Sequence, residues 1–241
     1  MILYVNGDSH TAAAEAVVSC AWAQDDPLLF HLGKKPHPYN AAVSWATRLA
    51  CAVNADLIND SQSGSSNHRI MRTSKDWLRK HRSNHAVLMI IQWSTWERQE
   101  WLHQGDYLQV TASGHDSVPQ ELQDRYREFV RGVDWSSVTQ FWHDEIWSWH
   151  QELLSQNIAH VFFNGNNDFS MIKQRLDWKG HYFYPYDPHR SFGGLLSDWG
   201  HPTVHAQSWH FGPIGHRVWS EIMLQYLLDN NIVDRNAISL D

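Results

Sequence analysis

Gly7-Asp8-Ser9-His10-Thr11 stands directly behind a short apolar run, residues 2–5. A buried strand that ends in a tight Gly-Asp-Ser turn lifts a hydroxyl to the top of a sheet, where it can act as a nucleophile. Such a serine needs an imidazole to take its proton, and N–H groups to hold the oxyanion that forms. Histidines crowd Gln207-Ser-Trp-His210-Phe-Gly-Pro-Ile-Gly-His216, and residues 60–67 are rich in turn formers. Asp198-Trp-Gly-His201-Pro202 supplies a rival carboxylate–imidazole spacing.

These residues need a scaffold, and the apolar pattern predicts one. Residues 2–5 read as a first strand, 12–23 as an alanine-rich helix, 26–40 as a loop with three prolines and 41–53 as a helix. A short second strand over 56–59 leads through the 60–67 turn into a helix over 68–82. The nearly continuous apolar run 85–92 has the character of a central parallel strand. A polar insertion, 98–135, is expected to cap the sheet end. Val138, Trp142, Ile146, Trp149 and Leu153 mark a long amphipathic helix over 136–156. A buried strand over 158–163, a helical stretch over 168–176, an irregular region over 177–207 and a last helix over 214–228 complete the chain. Alternating strands and helices predict an α/β fold: one domain spanning 1–241, a mostly parallel sheet with helices on both faces. Ligands of such sheets bind beyond the carboxyl ends of the strands, where the candidate residues fall.

In order and spacing the whole chain resembles the SGNH (GDSL-like) hydrolase superfamily. That family carries Gly-Asp-Ser after the first strand, a glycine turn after the second, Gly-x-Asn-Asp after the third, and Asp-x-x-His before the final helix, often with a following Gly-His. The resemblance implies a three-layer α/β/α sandwich of flavodoxin-like type and a serine esterase. Ser9 would be the nucleophile, His210 the base, and the N–H groups of Ser9 and Gly64 the oxyanion hole, with Asn67 as a side-chain donor or, alternatively, a helix cap. Gly215-His216 matches the family's Gly-His and selects His210, while Asp198 and His201 remain the alternative pair, and Asp8 a further candidate.

Two blocks depart from the pattern. Gln92-Trp-Ser-Thr-Trp-Glu-Arg98 has no Asn, so a hydroxyl of Ser94 or Thr95 would have to donate. A literal Gly165-Asn166-Asn167-Asp168 follows the fourth strand instead. Either Asn167 reaches the site from the neighbouring edge, or the segment is a turn and helix cap. Where the family has its acid stands Gln207, which can orient an imidazole but not stabilise its charged form. The segment 93–98 together with Ser-Gly-Ser-Ser-Asn67 is similar to SGNH-like proteins encoded by bacteriophages.

Composition bounds these readings. A net charge of −7 and no basic run argue against nucleic-acid or anionic-membrane binding. No leader segment and no apolar stretch of membrane-spanning length is visible, so a soluble cytoplasmic chain is expected, with virion association as the alternative. Cys20 and Cys51 read as buried free thiols. His201, His205, His210 and His216 permit a metal site on count alone, but Gly200 and Pro202 oppose helical ligand spacing, so no metal or organic cofactor is expected. With 14 Trp, most of them expected in the core, the residual ones tilt the substrate toward an O-acetylated carbohydrate. A competing reading keeps the scaffold and drops the chemistry, giving a glycan-binding or virion assembly protein.

Overall fold

The computed structural model describes residues 1–18, 36–81, 86–114 and 118–234. In chain order the elements are β1 (Ile2–Asn6), α1 (Pro38–Ala42), α2 (Trp45–Ala52), β2 (Asp56–Asn59), α3 (Asn67–His81) and β3 (Val87–Trp93). There follow β4 (Gln99–His103), β5 (Asp106–Val110), α4 (Gln123–Gly132), α5 (Trp135–Ser155), β6 (Ala159–Asn164), α6 (Phe192–Asp198) and α7 (Pro213–Asp229). The main sheet runs β2-β1-β3-β6 with every neighbouring pair parallel. The protein is therefore an α/β protein, and the chain reverses its direction of strand addition at β1, between β2 and β3.

Alternation along the strands sorts the core. Leu3 and Val5 pack with Trp45, Leu49, Trp219 and Met223, residues of α2 and α7. Tyr4, between them, packs on the other face with Ile70, Trp142, Ile146 and Trp149, from α3 and α5. Both faces of β1 are buried, which is why residues 2–5 are apolar without a gap. Trp45, Trp93, Trp142, Trp149 and Trp219 are fully buried, so much of the tryptophan is core. Among the described residues no helix is long and apolar enough to cross a membrane.

Several expectations are corrected. Over its described part, the stretch expected to be a helix at 12–23 is a chain of turns, because Ala13 (φ 53°) and Glu15 (φ 62°) are left-handed. The helix expected over 41–53 is split, since the Ser44 hydroxyl accepts from Thr47 N at 3.1 Å and caps a new helix, α2. Residues 168–176 form turns rather than a helix, with Phe169 N bonded across to Pro185 O at 2.8 Å. The irregular region contains α6, started by the Ser191 hydroxyl on Gly194 N. Cys51 is exposed rather than buried; Cys20 lies outside the described residues.

The insertion is a small structured unit. Gln104 (φ 50°) and Gly105 (φ 91°) make the tight turn of the antiparallel β4–β5 hairpin. Trp101, Val110, Val118 and Tyr126 form its own apolar cluster. The hairpin is fastened toward the sheet end by a bidentate Arg72–Glu100 pair (2.9 and 2.7 Å) and by Gln109 Oε1, which accepts from Ser66 N at 2.9 Å.

Candidate active site

The turn after β1 is clamped before any chemistry is considered. A Cβ on Gly7 would lie 2.7 Å from both Gln92 Oε1 and Thr11 Oγ1, so only glycine fits there. Thr11 donates through N (3.0 Å) and Oγ1 (2.7 Å) to Gln92 Oε1. Asp8 is fully buried and accepts from Gln92 Nε2 (2.6 Å), Ser94 Oγ (2.7 Å), Arg98 Nη1 (3.0 Å) and His10 N (3.0 Å). Burial would raise its pKa, but His10, Arg98 and the donated hydrogen bonds outweigh it and hold the carboxyl at about 2. Asp8 is thus a permanent anion that pins the turn to the end of β3.

Ser9 sits half-buried on this turn, and its hydroxyl makes no hydrogen bond among the described residues. The loop after β2 lies alongside, joined by Gln62 N donating to Gly7 O at 3.2 Å. Gly64 turns that loop at φ 74°. Among the described residues the N–H groups of Ser9 and Gly64 have no partner, which leaves two backbone donors on adjoining loops.

His210 arrives from the far end of the chain. Thr203 bridges Phe211, and Val204 N donates to His210 O at 2.8 Å, so residues 203–211 form a hairpin-like loop with His210 at its base. Its Nδ1 donates to Glu15 Oε2 at 2.6 Å, and the same oxygen accepts from Ser208 Oγ at 2.7 Å. Ser208 Oγ in turn accepts from His210 N at 3.0 Å. Burial pushes the Glu15 pKa up, but the His210 and Ser208 hydrogen bonds prevail and hold it below its ordinary value. With Nδ1 committed, Nε2 is the ring nitrogen free to take a proton.

His10 closes the gap between the two segments. Its ring lies edge-on to His210 with centroids 5.7 Å apart, and Asn166 Nδ2 donates to its Nε2 at 2.9 Å. Burial lowers its pKa to about 4, so it is neutral at pH 7. His216 is buried against Phe192, accepts from Trp45 N at 3.4 Å, and is held at about 3, first by burial and then by His10 and His210. It belongs to the core and does not share a ligand set with His205 and His210.

A family model described as a family of unknown function, DUF6071, matches residues 31–164. The chain belongs to the DUF6071 family. No curated protein matches it. The matched stretch contains Gly64, Asn67, Gln92 and Arg98, whereas Ser9, Glu15 and His210 lie outside it.

The remaining candidates of this DUF6071 chain have other employment. Asn67 is the first residue of α3, but its amide binds both backbone groups of Ser94 (Ser94 N donating at 2.7 Å, Nδ2 donating to Ser94 O at 3.2 Å). The cap is Ser66, whose hydroxyl accepts from Arg69 N at 3.2 Å. Ser94 gives its hydroxyl proton to Asp8, and Thr95 donates to Glu97 at 3.2 Å. Asp198 pairs with exposed His189 at 2.8 Å rather than with His201. Gln207 is exposed and makes no hydrogen bond to the His210 ring, whose Nδ1 is taken by Glu15. Asn167 leaves a buried Oδ1 without a partner, while its neighbour Asn166 reaches the cluster. Sequence reasoning assigned no site role to Glu15, His10 or Asn166, although His10 stood in the Gly-Asp-Ser block and Asn166 in the Gly-Asn-Asn-Asp block; for Glu15 the signal was a lone carboxylate in an alanine-rich run six residues after Ser9.

Proposed function

We propose that this protein is a serine ester hydrolase of the SGNH type, with a flavodoxin-like α/β/α sandwich. The strand order β2-β1-β3-β6 supports that architecture, since Ser9 then stands at the switch point beside β1. The observation that carries the activity is the 2.6 Å Glu15–His210 bond, made by an acid in the same turn as the serine. In this reading Ser9 Oγ attacks the acyl carbon and His210 Nε2 takes its proton. Glu15 holds the imidazole in the correct tautomer and stabilises its charged form. The N–H groups of Ser9 and Gly64 receive the oxyanion. The alcohol leaves with the proton from His210, and the same imidazole then activates water to release the acid. No metal or organic cofactor takes part.

Labelling with a fluorophosphonate probe tests this. Labelling of the wild type that is lost in Ser9→Ala and in His210→Ala is the expected result. One observation favours a second reading: Ser9 Oγ makes no hydrogen bond to His210. Closure on substrate would tighten that contact in an enzyme. A wild type that does not label identifies a binding or assembly scaffold instead.

A further inference from the structure

A cavity of about 570 Å3 opens beside the candidate site and takes no part in the mechanism above. Its size falls within the usual range for small-molecule sites. Two of its lining residues are bonded to the site itself: Asn166 to His10, and Ser208 to Glu15. A third, Trp209, immediately precedes His210 and is 81% exposed. Gly193, also on the wall, leaves room for the Asn166 amide, because a Cβ there would come 2.4 Å from Asn166 Oδ1.

The chemistry of the lining is specific. Among the described residues it includes no Lys, Arg, Asp or Glu. Its polar groups are the amides of Asn166 and Gln207 and the hydroxyls of Ser197, Thr203 and Ser208, which both donate and accept. A phosphorylated or carboxylated ligand would find no counter-charge there. A fatty acyl chain would offer no partner to the Gln207 amide or to Asn166 Oδ1, whereas Asn166 Nδ2, Ser208 and Thr203 already have theirs. An indole left bare to water beside neutral amides and hydroxyls suits a ligand with one apolar face and a rim of hydroxyls. Most tryptophans here are packed away, whereas this ring is the most exposed large apolar side chain among the described residues.

We propose that this cavity is the subsite for an uncharged pyranoside, stacked on Trp209 and hydrogen-bonded by the Asn166 and Gln207 amides. It rests on the ester-hydrolase reading only for the bond to be cut, an ester on that sugar held against Ser9. Sugar binding itself does not need Ser9.

Isothermal titration with chitotetraose, xylotetraose and tri-galacturonate tests it. At least one neutral oligosaccharide should bind the wild type, and Trp209→Ala should weaken that binding at least tenfold, with Trp209→Phe in between. Trp135→Ala, which removes another exposed indole remote in sequence, should leave binding unchanged. Absence of binding by both neutral sugars, tighter binding of the galacturonate, or equal affinity in Trp209→Ala overturns the proposal. Sugar binding by a protein that the fluorophosphonate does not label would sink the hydrolase and keep the subsite. Labelling without sugar binding would do the reverse.

Discussion

Four histidines are buried in neutral form, and they should make the fold acid-labile well above the pH at which its carboxylates titrate. His10 and His150 are held at about 4, His160 and His216 at about 3, in each case chiefly by burial. His150 and His160 are further locked to one another. His160 Nδ1 donates to Ile158 O (2.8 Å), so its Nε2 must accept from His150 Nδ1 (2.9 Å). His181 stacks on His160 at 4.4 Å, and a second proton on His160 would have to sit on Nε2, donor against donor with His150 Nδ1–H. Each folded pKa lies below the unfolded value of 6.5, so the contribution is complete above that pH and is lost as pH falls toward about 4 for His10 and His150 and about 3 for His160 and His216. At pH 5 each imidazole costs about 2 kcal/mol and the four together about 8 kcal/mol, against a typical total stability of about 5–15 kcal/mol. Asp8 works in a lower window: its stabilisation is present above 3.8 and is lost only as pH falls toward about 2. Urea unfolding at pH 7.5, 6.5, 5.5 and 5.0, followed by tryptophan fluorescence, should show the midpoint falling steeply below 6.5. His160→Gln should flatten the slope. A stability constant within about 1 kcal/mol between pH 7 and 5 would refute the reasoning.

Glu15→Gln should keep the fold and lower kcat on 4-nitrophenyl acetate by about 10³-fold or more, since the amide cannot stabilise an imidazolium. Gln207→Asp should not restore it, because that side chain is exposed and makes no hydrogen bond to the His210 ring; recovery would return the acid to the family position. Asp8→Ala leaves Arg98 without its buried counter-charge and should cost about 3–5 kcal/mol by thermal or urea unfolding; a loss under 1 kcal/mol would deny Asp8 its clamping role. Gly193→Ala should displace Asn166 from His10 and cut ester turnover severalfold, with little change in melting temperature; unchanged turnover would separate Asn166 from the site.

Local pattern made much of the scaffold legible. The 56–59 strand matches β2 to the residue, and the central apolar run and the long amphipathic stretch appear as β3 and α5 within a residue or two at their described ends. Strand pattern also set Ser9 and Gly64 on the loops after β1 and β2, whereas His210, which follows no strand, was pointed to by the family resemblance. The acid was not legible. Alanine favours helix intrinsically, yet Ala12, Ala13, Ala14 and Ala16 are buried in a run of turns in which Ala13 and Glu15 are left-handed. Glu15 and His210 are 195 residues apart, a pairing that no local spacing can announce. Asn166 was visible as a motif letter, but the bond it makes crosses from β6 to the loop after β1, past the intervening strand β3.

The strain in the turn argues for its use. Glu15 at φ 62° is a non-glycine residue in the left-handed region, at a cost of about 1–2 kcal/mol. Glycine would hold the same bend more cheaply. What only Glu15 supplies is the carboxylate that accepts from both His210 and Ser208. The loop is built to hold it there: Asn40 Oδ1 accepts from Val17 N (2.9 Å) and Val18 N (3.0 Å), and the alanines on either side of Glu15 are buried. Strain that the surroundings over-determine in this way is a mark of functional sites. On the proposed reading, Glu15 supplies from another segment the carboxylate that Gln207 lacks, and what that reading requires is a carboxylate that meets the His210 imidazole, whichever stretch of chain delivers it.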